Sequence, residues 1–293
     1  MRLLITGVSG YLGAALAAAA QAAGGWETTG AYFSHVPPNS TCALRQLDLR
    51  DAAAVEAAFA AIRPDSVIHT ACSNHDDENV SAILPAAENL ASACRAYGAR
   101  LVHVSTDLVF DGEQSPYSDD KAPSPITPYG AAKAEAEAAI KRQCASAAIG
   151  RPSLIWSLDP LDRQTAWLVE GVRRGTPVTL FTDEIRCPVY LPDLAAALLE
   201  LAARPEVGGP LNLAGRQALS RWDFGLRLLQ AIGLEIGTNV RSGTVAASGL
   251  VRARKLELAG RRAEQLLATR LRGVDQVLDS HPTLKAAAEW GAA

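Results

Sequence analysis

The chain has 293 residues, 48% of them hydrophobic and 20% charged, which is enough apolar material to bury a full core and excludes a disordered chain. Its formal net charge of -3 lies close to balance, and the basic clusters at Arg173 and Arg174 and between Arg252 and Arg262 are short and interrupted, so no nucleic-acid surface is indicated. The five cysteines (Cys42, Cys72, Cys94, Cys144, Cys187) form no Cys-x-x-Cys pair, which indicates neither a zinc site nor a disulfide framework and suits a reducing cytoplasm.

The opening MRLLITG reads as a strand running straight into a glycine loop, with an apolar stretch too short for a secretory signal. No run reaches the roughly 18 apolar residues of a membrane-spanning helix, so the protein is expected to stay in solution. Strands are expected at Leu3 to Thr6, Thr28 to Phe33, Ser66 to Thr70, Leu101 to Ser105 and Ala148 to Ile155, with another just before Asp48. Helices are expected near Tyr11 to Ala23, Ala52 to Ala61 and Leu84 to Tyr97. Parallel strands need crossover connections, so this alternation predicts an α/β fold with a doubly wound parallel sheet of the dinucleotide-binding Rossmann type.

Beyond Ser157 the rhythm changes. Asp159-Pro160, Gly175-Thr176-Pro177, Cys187-Pro188 and Gly208-Gly209-Pro210 mark turns between shorter elements. A smaller C-terminal lobe is expected over the carboxyl edge of the sheet, where open α/β sheets bind ligands. The division is residues 1–157 as the nucleotide-binding domain, with 188–204 returning to it, and 158–293 as the substrate lobe. Neither a flexible linker nor an internal repeat is visible.

Gly7-Val8-Ser9-Gly10-Tyr11-Leu12-Gly13 follows the first strand and opens the first helix, the context that gives a glycine motif its meaning. Gly7 suits a tight turn, Gly10 a close approach of backbone to a pyrophosphate, and Gly13 close packing of helix on strand. The helix N-terminus adds unpaired N–H groups and a partial positive charge for phosphates. After the second strand, Tyr32-Phe33-Ser34-His35 carries no acid to hold an adenosine ribose 2'-hydroxyl. NADP(H) is therefore favoured over NAD(H), with Ser34 and His35 as phosphate donors. Asp48-Leu49 reads equally as a turn or as a neighbour of the adenine. His69-Thr70-Ala71-Cys72 closes the fourth strand with small residues that let a cofactor pass.

Thr127-Pro128-Tyr129-Gly130-Ala131-Ala132-Lys133 looks like a helix start, with Thr127 as cap and Pro128 at the first helical position. Tyr129 and Lys133, four apart, share a helix face. An ammonium beside a phenol favours the phenolate and brings its pKa down from about 10 toward neutrality. Upstream, Val102-His103-Val104-Ser105-Thr106-Asp107 is a strand ending in small polar residues, where a hydroxyl can reach a substrate carbonyl. His103 is expected to be a buried, hydrogen-bonded histidine.

These stretches together resemble the extended short-chain dehydrogenase/reductases, and within them the dTDP-4-dehydrorhamnose reductase group. STDLVFDG (Ser105 to Gly112), Pro116-Tyr117-Ser118, Pro125 and PYGAAK (Pro128 to Lys133) carry the likeness, which covers the first ~155 residues well and the rest loosely. The resemblance implies a catalytic set of Thr106, Tyr129 and Lys133. It implies cofactor contacts from Gly7, Ser9, Gly10, Tyr11, Leu12, Gly13, Asp48, Leu49, Thr70, Ala71, Cys72, Tyr129 and Lys133. It implies reduction of a keto group, typically on a deoxysugar attached to a nucleoside diphosphate, with a homodimer as a compatible assembly. Substrate contacts are expected from Asp107, Leu108, Ser153, Arg186 and Arg252. Where members that reduce the rhamnose precursor carry Tyr and Trp, this chain has Leu108 and Leu154, so its sugar pocket differs. Two rivals stay open: an epimerase or dehydratase that retains its cofactor, and a regulatory subunit like the β subunit of methionine adenosyltransferase.

Overall fold

A computed structural model describes residues 1–38, 40–71 and 77–280. The first half supplies six strands: β1 (Arg2–Thr6), β2 (Glu27–Tyr32), β3 (Ala43–Gln46), β4 (Ser66–His69), β5 (Arg100–Val104) and β6 (Ala148–Pro152). The second half adds β7 (Ile155–Trp156), β8 (Val178–Phe181), β9 (Ile185–Arg186), β10 (Val189–Tyr190), β11 (Gly209–Leu213), β12 (Leu219–Ser220) and β13 (Val240–Gly243). Seven strands form one sheet in the order β3-β2-β1-β4-β5-β6-β11, every pair parallel. The fold is the expected doubly wound Rossmann sheet, whose order reverses between β1 and β4, the place where such sheets bind ligands.

Helices cover both faces, which is why the strands read as nearly continuous apolar runs. They are α1 (Tyr11–Ala23), α2 (Ala52–Ile62), α3 (Asp77–Ser81), α4 (Ile83–Tyr97), α5 (Pro128–Gln143), α6 (Arg163–Arg174), α7 (Leu191–Ala203) and α8 (Arg221–Ala231). Leu12 and Leu16 of α1 and Leu194 and Leu198 of α7 pack with Ile5, Ile68 and Val102 on one face. Phe59, Leu90 and Ile140, from α2, α4 and α5, pack with Leu4, Val67, Leu101 and Ile149 on the other. Alternate residues of each strand feed opposite cores. None of the helices among the described residues is long and apolar enough to cross a membrane.

Two boundaries differ from expectation. The strand expected from Ala148 to Ile155 stops at Pro152, and β7 instead pairs with β10 outside the main sheet. Ser153 is drawn out of line because its hydroxyl accepts from the Cys187 N–H at 3.2 Å and donates to Asp107 at 2.8 Å. The returning segment also reaches past residue 204, since β11 hydrogen-bonds along β6 at the sheet edge. The pairs β8 with β13 and β9 with β12 stand outside the seven-stranded sheet, with α6 and α8 packed against β8.

Candidate active site at the carboxyl edge of the sheet

A cleft of about 500 Å3 runs along the carboxyl ends of the strands, from the glycine turn to Tyr129. At the turn, Gly7 has φ +75°, and a Cβ there would stand 2.7 Å from the Cα of Ala71. Gly13 is held against the same turn: its Cβ would meet the Gly7 carbonyl oxygen and lie 2.9 Å from the Cα of Val8. A side chain at either position would collide with backbone, so the two glycines let the turn lie against 70–71 and α1 lie against the turn, the close packing that a pyrophosphate-binding turn uses. Ser9, Gly10, Tyr11 and Leu12 line the cleft with them, and α1 begins at Tyr11 with its N–H groups toward it. Thr70 and Ala71 form the opposite wall, the Thr70 hydroxyl donating to the Thr6 carbonyl at 2.7 Å. These residues fit a dinucleotide. Cys72, expected beside them, lies outside the described residues.

Phe33, Ser34, Asp48 and Leu49 line one end of the cleft. Asp48 faces both a turn partner and the cleft. It lines the cleft, and it also accepts from the Arg50 backbone N–H at 2.9 Å and from the Arg50 side chain at 2.9 and 3.0 Å. That arginine holds the Asp48 carboxyl below the usual carboxylate range. Arg50 is the residue that sequence reasoning missed at this end. It lines the cleft with its guanidinium 5.1 Å from the Phe33 ring centre, and the only signal for it was a cation two residues after the Asp in Asp-Leu-Arg. His35 is exposed and shares a hydrogen bond of 2.8 Å with Ser34, but it is not part of the cleft wall.

At the other end, Thr127 caps α5 by accepting from the Gly130 N–H at 3.1 Å, and Pro128 occupies its first turn, as expected. This cap sets Tyr129, half-buried, on the cleft wall with Ser105 and Thr106 from the end of β5. Lys133 lies one turn further on and beneath the surface, 1% exposed, with Nζ donating to the Val104 carbonyl at 2.6 Å. Thr106 accepts from the Leu108 N–H at 3.2 Å, capping a short 3-10 turn.

The expected substrate residues divide. Ser153 is in the cleft wall, whereas Asp107, Leu108, Arg186 and Arg252 are not. Asp107 is 5% exposed and turned toward Ser153 and Arg186, whose Nε stands at 3.7 Å. Burial raises its pKa against the pull of Arg186. Arg186 and Arg252 both reach Glu184, each at 3.2 Å. Arg221, which sequence reasoning did not single out, joins this cluster: its backbone N–H donates to the Glu184 carbonyl at 2.9 Å, and its Nη1 has no partner among the described residues. Burial pulls its pKa down.

His103 corrects an expectation. It is fully buried, but neither ring nitrogen has a hydrogen-bond partner among the described residues. Its sheet neighbour His69 shares a bond of 2.8 Å with the Thr6 hydroxyl, and burial, with Lys133 second, pushes the His69 pKa down to about 3. Burial, with Lys133 and His69 adding to it, likewise pushes the His103 pKa well below its ordinary value.

The model of the RmlD substrate binding domain matches residues 1–278. The chain belongs to that family. It is thus an RmlD-type member of the extended short-chain dehydrogenase/reductases, as its motifs implied. It is 30% identical over 247 residues to the methionine adenosyltransferase 2 subunit beta of Xenopus tropicalis, covering 80% of this chain and 72% of that one. It is 29% identical over 245 residues to the probable low-salt glycan biosynthesis reductase Agl14 of Haloferax volcanii, covering 80% and 81%. The crystal structure of a hypothetical dTDP-4-dehydrorhamnose reductase from Sulfolobus tokodaii superposes with a TM-score of 0.81 at 26% identity, covering 95% of this chain and 98% of that one.

Proposed function

We propose that this RmlD-type chain is an NAD(P)H-dependent reductase of a keto group on a sugar linked to a nucleoside diphosphate, with NADPH as the preferred cofactor. The observation that carries the reading is the convergence of the glycine turn, the Thr106 hydroxyl and Tyr129 on one cleft. The cofactor, when bound, supplies the hydride. The chain's own residues do the rest: Tyr129 donates the proton to the carbonyl oxygen, Thr106 hydrogen-bonds that oxygen, and the buried Lys133 ammonium favours the phenolate left behind. Arg50 with Ser34, and the lack of an acid at the end of β2, support a 2'-phosphate. Arg186, Arg221 and Arg252 give the lobe the cations that a diphosphate needs. Asp107, buried and already accepting from Ser153 and Thr106, is poorly placed as a dehydratase acid.

A second reading, a regulatory subunit of another enzyme, is favoured by the 30% identity to a methionine adenosyltransferase subunit. One experiment separates the two. The purified chain is given NADPH and a panel of nucleotide-linked 4-ketosugars, and Tyr129→Phe is run beside it. Stoichiometric NADPH oxidation that falls roughly 100- to 10,000-fold in Tyr129→Phe, with NADPH still bound, is the expected result. Oxidation unchanged by the substitution would overturn the assignment. No oxidation at all, with a stoichiometric partner enzyme recovered alongside, would favour the regulatory reading.

A further inference from the structure

At the carboxyl end of the edge strand β11, a second cavity of about 450 Å3 opens between the segments 214–218, 257–264 and 269–271. It shares no lining residue with the cleft that runs from the glycine turn to Tyr129. Cys187 stands between the two: it lines the second cavity, and its N–H donates to Ser153 of the cleft wall at 3.2 Å.

The walls of this cavity are held by packing and main-chain bonds, so it exists before anything enters it. Gly215 lies so close to the Pro188 carbonyl that a Cβ on it would stand 3.0 Å from the carbonyl carbon. The Tyr117 N–H donates to the Glu257 carbonyl at 2.9 Å, and the Tyr117 carbonyl accepts from the Ala259 N–H at 2.8 Å, which pins the 257–259 stretch. The floor is apolar, since Cys187, Ala214, Leu258, Ala263 and Leu271 line it and all are buried.

The rim is charged. It carries Arg216, Arg261 and Arg270 against Glu257 and Glu264, three cations to two anions, an excess of one positive charge. Glu264 pairs with Arg216 at 2.8 Å, but both side chains are 47% exposed, so water screens that pair. Among the described residues, Arg270 reaches only a main-chain carbonyl, that of Glu264 at 3.4 Å, and the Arg261 side chain makes no ion pair or hydrogen bond.

A preformed cavity of this size, with an apolar floor and a few cations at its mouth, suits a molecule with an apolar body and an anionic head. One charge in excess matches a monoanion, and guanidinium forks match a carboxylate. We propose that the cavity is a second ligand site, for a small monocarboxylate with an apolar body, separate from the cofactor and substrate cleft.

The test uses 3-phenylpropionate, titrated into the full chain with and without saturating NADPH and followed by ligand-observed NMR. A Kd of about 1 mM, in the range that so small a ligand reaches, and the same Kd with NADPH present, are expected. Acetate, which lacks the body, and 3-phenylpropionamide, which lacks the charge, are expected to bind at least about tenfold more weakly. Arg261→Ala is expected to weaken binding about tenfold, and Ala218→Trp, which fills the cavity from its exposed wall, to abolish it. Both positions are exposed, so the urea midpoint of each variant should stay where it is. Glu264→Gln releases Arg216 and is expected to tighten binding about threefold, the opposite direction. No binding below about 20 mM, displacement by NADPH, or equal affinity for the amide would overturn the second site. So would affinities that neither Arg261→Ala nor Glu264→Gln moves. Failure of NADPH itself to bind would count against the proposed function and leave the titration of the free chain to decide the site.

Discussion

Two arginine–carboxylate clusters flank the residues that carry Thr106 and Tyr129, and they differ in how completely they are closed. In the first, Arg151 and Glu137 are each 1% exposed and joined by two hydrogen bonds of 2.9 and 2.7 Å. The spare Arg151 nitrogen reaches the Asp119 carbonyl, Ser105 donates to Glu137 at 2.6 Å, and Phe110 presents its ring to the guanidinium. In the second, Glu184 bridges Arg186 and Arg252, but Arg252 is 44% exposed and the Nη1 of Arg221 is unpartnered among the described residues. The closed cluster ties α5, and hence Tyr129, to β5 and β6. The open one leaves one guanidinium partly exposed and another with an unpartnered nitrogen among the described residues.

Breaking the closed cluster gives the largest expected effect. Glu137→Ala strands a buried guanidinium and is expected to cost about 3–5 kcal/mol, read as a lower urea midpoint, while Glu137→Leu combined with Arg151→Met recovers most of the loss. A cost under about 1 kcal/mol would mean that this pair is not what holds α5. For the open cluster the expectation reverses. Arg252→Ala should leave stability within about 1 kcal/mol, because the pair is partly exposed, but raise KM for a nucleotide-linked ketosugar roughly tenfold or more. A stability loss without a KM effect would make both clusters scaffold and remove the contrast.

The cofactor half of the cleft and the start of α5 were largely legible in the sequence, because their determinants are local, whereas the Glu137–Arg151 pair was not foreseen, its members standing 14 residues apart on α5 and β6. The glycine turn is read from seven consecutive residues, and the Thr127-Pro128 cap with Tyr129 and Lys133 from another seven. The open cluster was legible only in part. Arg186, Arg221 and Arg252 are separated by more than thirty residues each and meet through β9, β12 and the 252–258 segment, a pairing that no local pattern announces. The split of the strand after Pro152 was hidden for the same reason, since it depends on Cys187 and Asp107 both reaching Ser153. His103 was read as buried from its place in an apolar run, but whether its nitrogens found partners depended on α4 and α5.

Arg50 offers a third case, partly exposed like Arg252, and the smallest expected effect. Its side chain is 39% exposed, held in a fork on Asp48 and laid over Phe33, so the guanidinium is oriented before any ligand arrives. Orientation without burial predicts a modest, salt-sensitive contribution: Arg50→Ala should weaken NADPH binding about tenfold at low ionic strength, leave NADH unchanged, and lose much of that difference near 1 M salt. Asp48→Asn sharpens the comparison, because it removes the carboxylate that competes with a 2'-phosphate for the same guanidinium. If Arg50 recognises the phosphate, Asp48→Asn and Arg50→Ala shift the NADPH to NADH ratio in opposite directions. If Arg50 only braces the turn after β3, both substitutions weaken the two cofactors alike, and titration of either variant by cofactor fluorescence tells the cases apart.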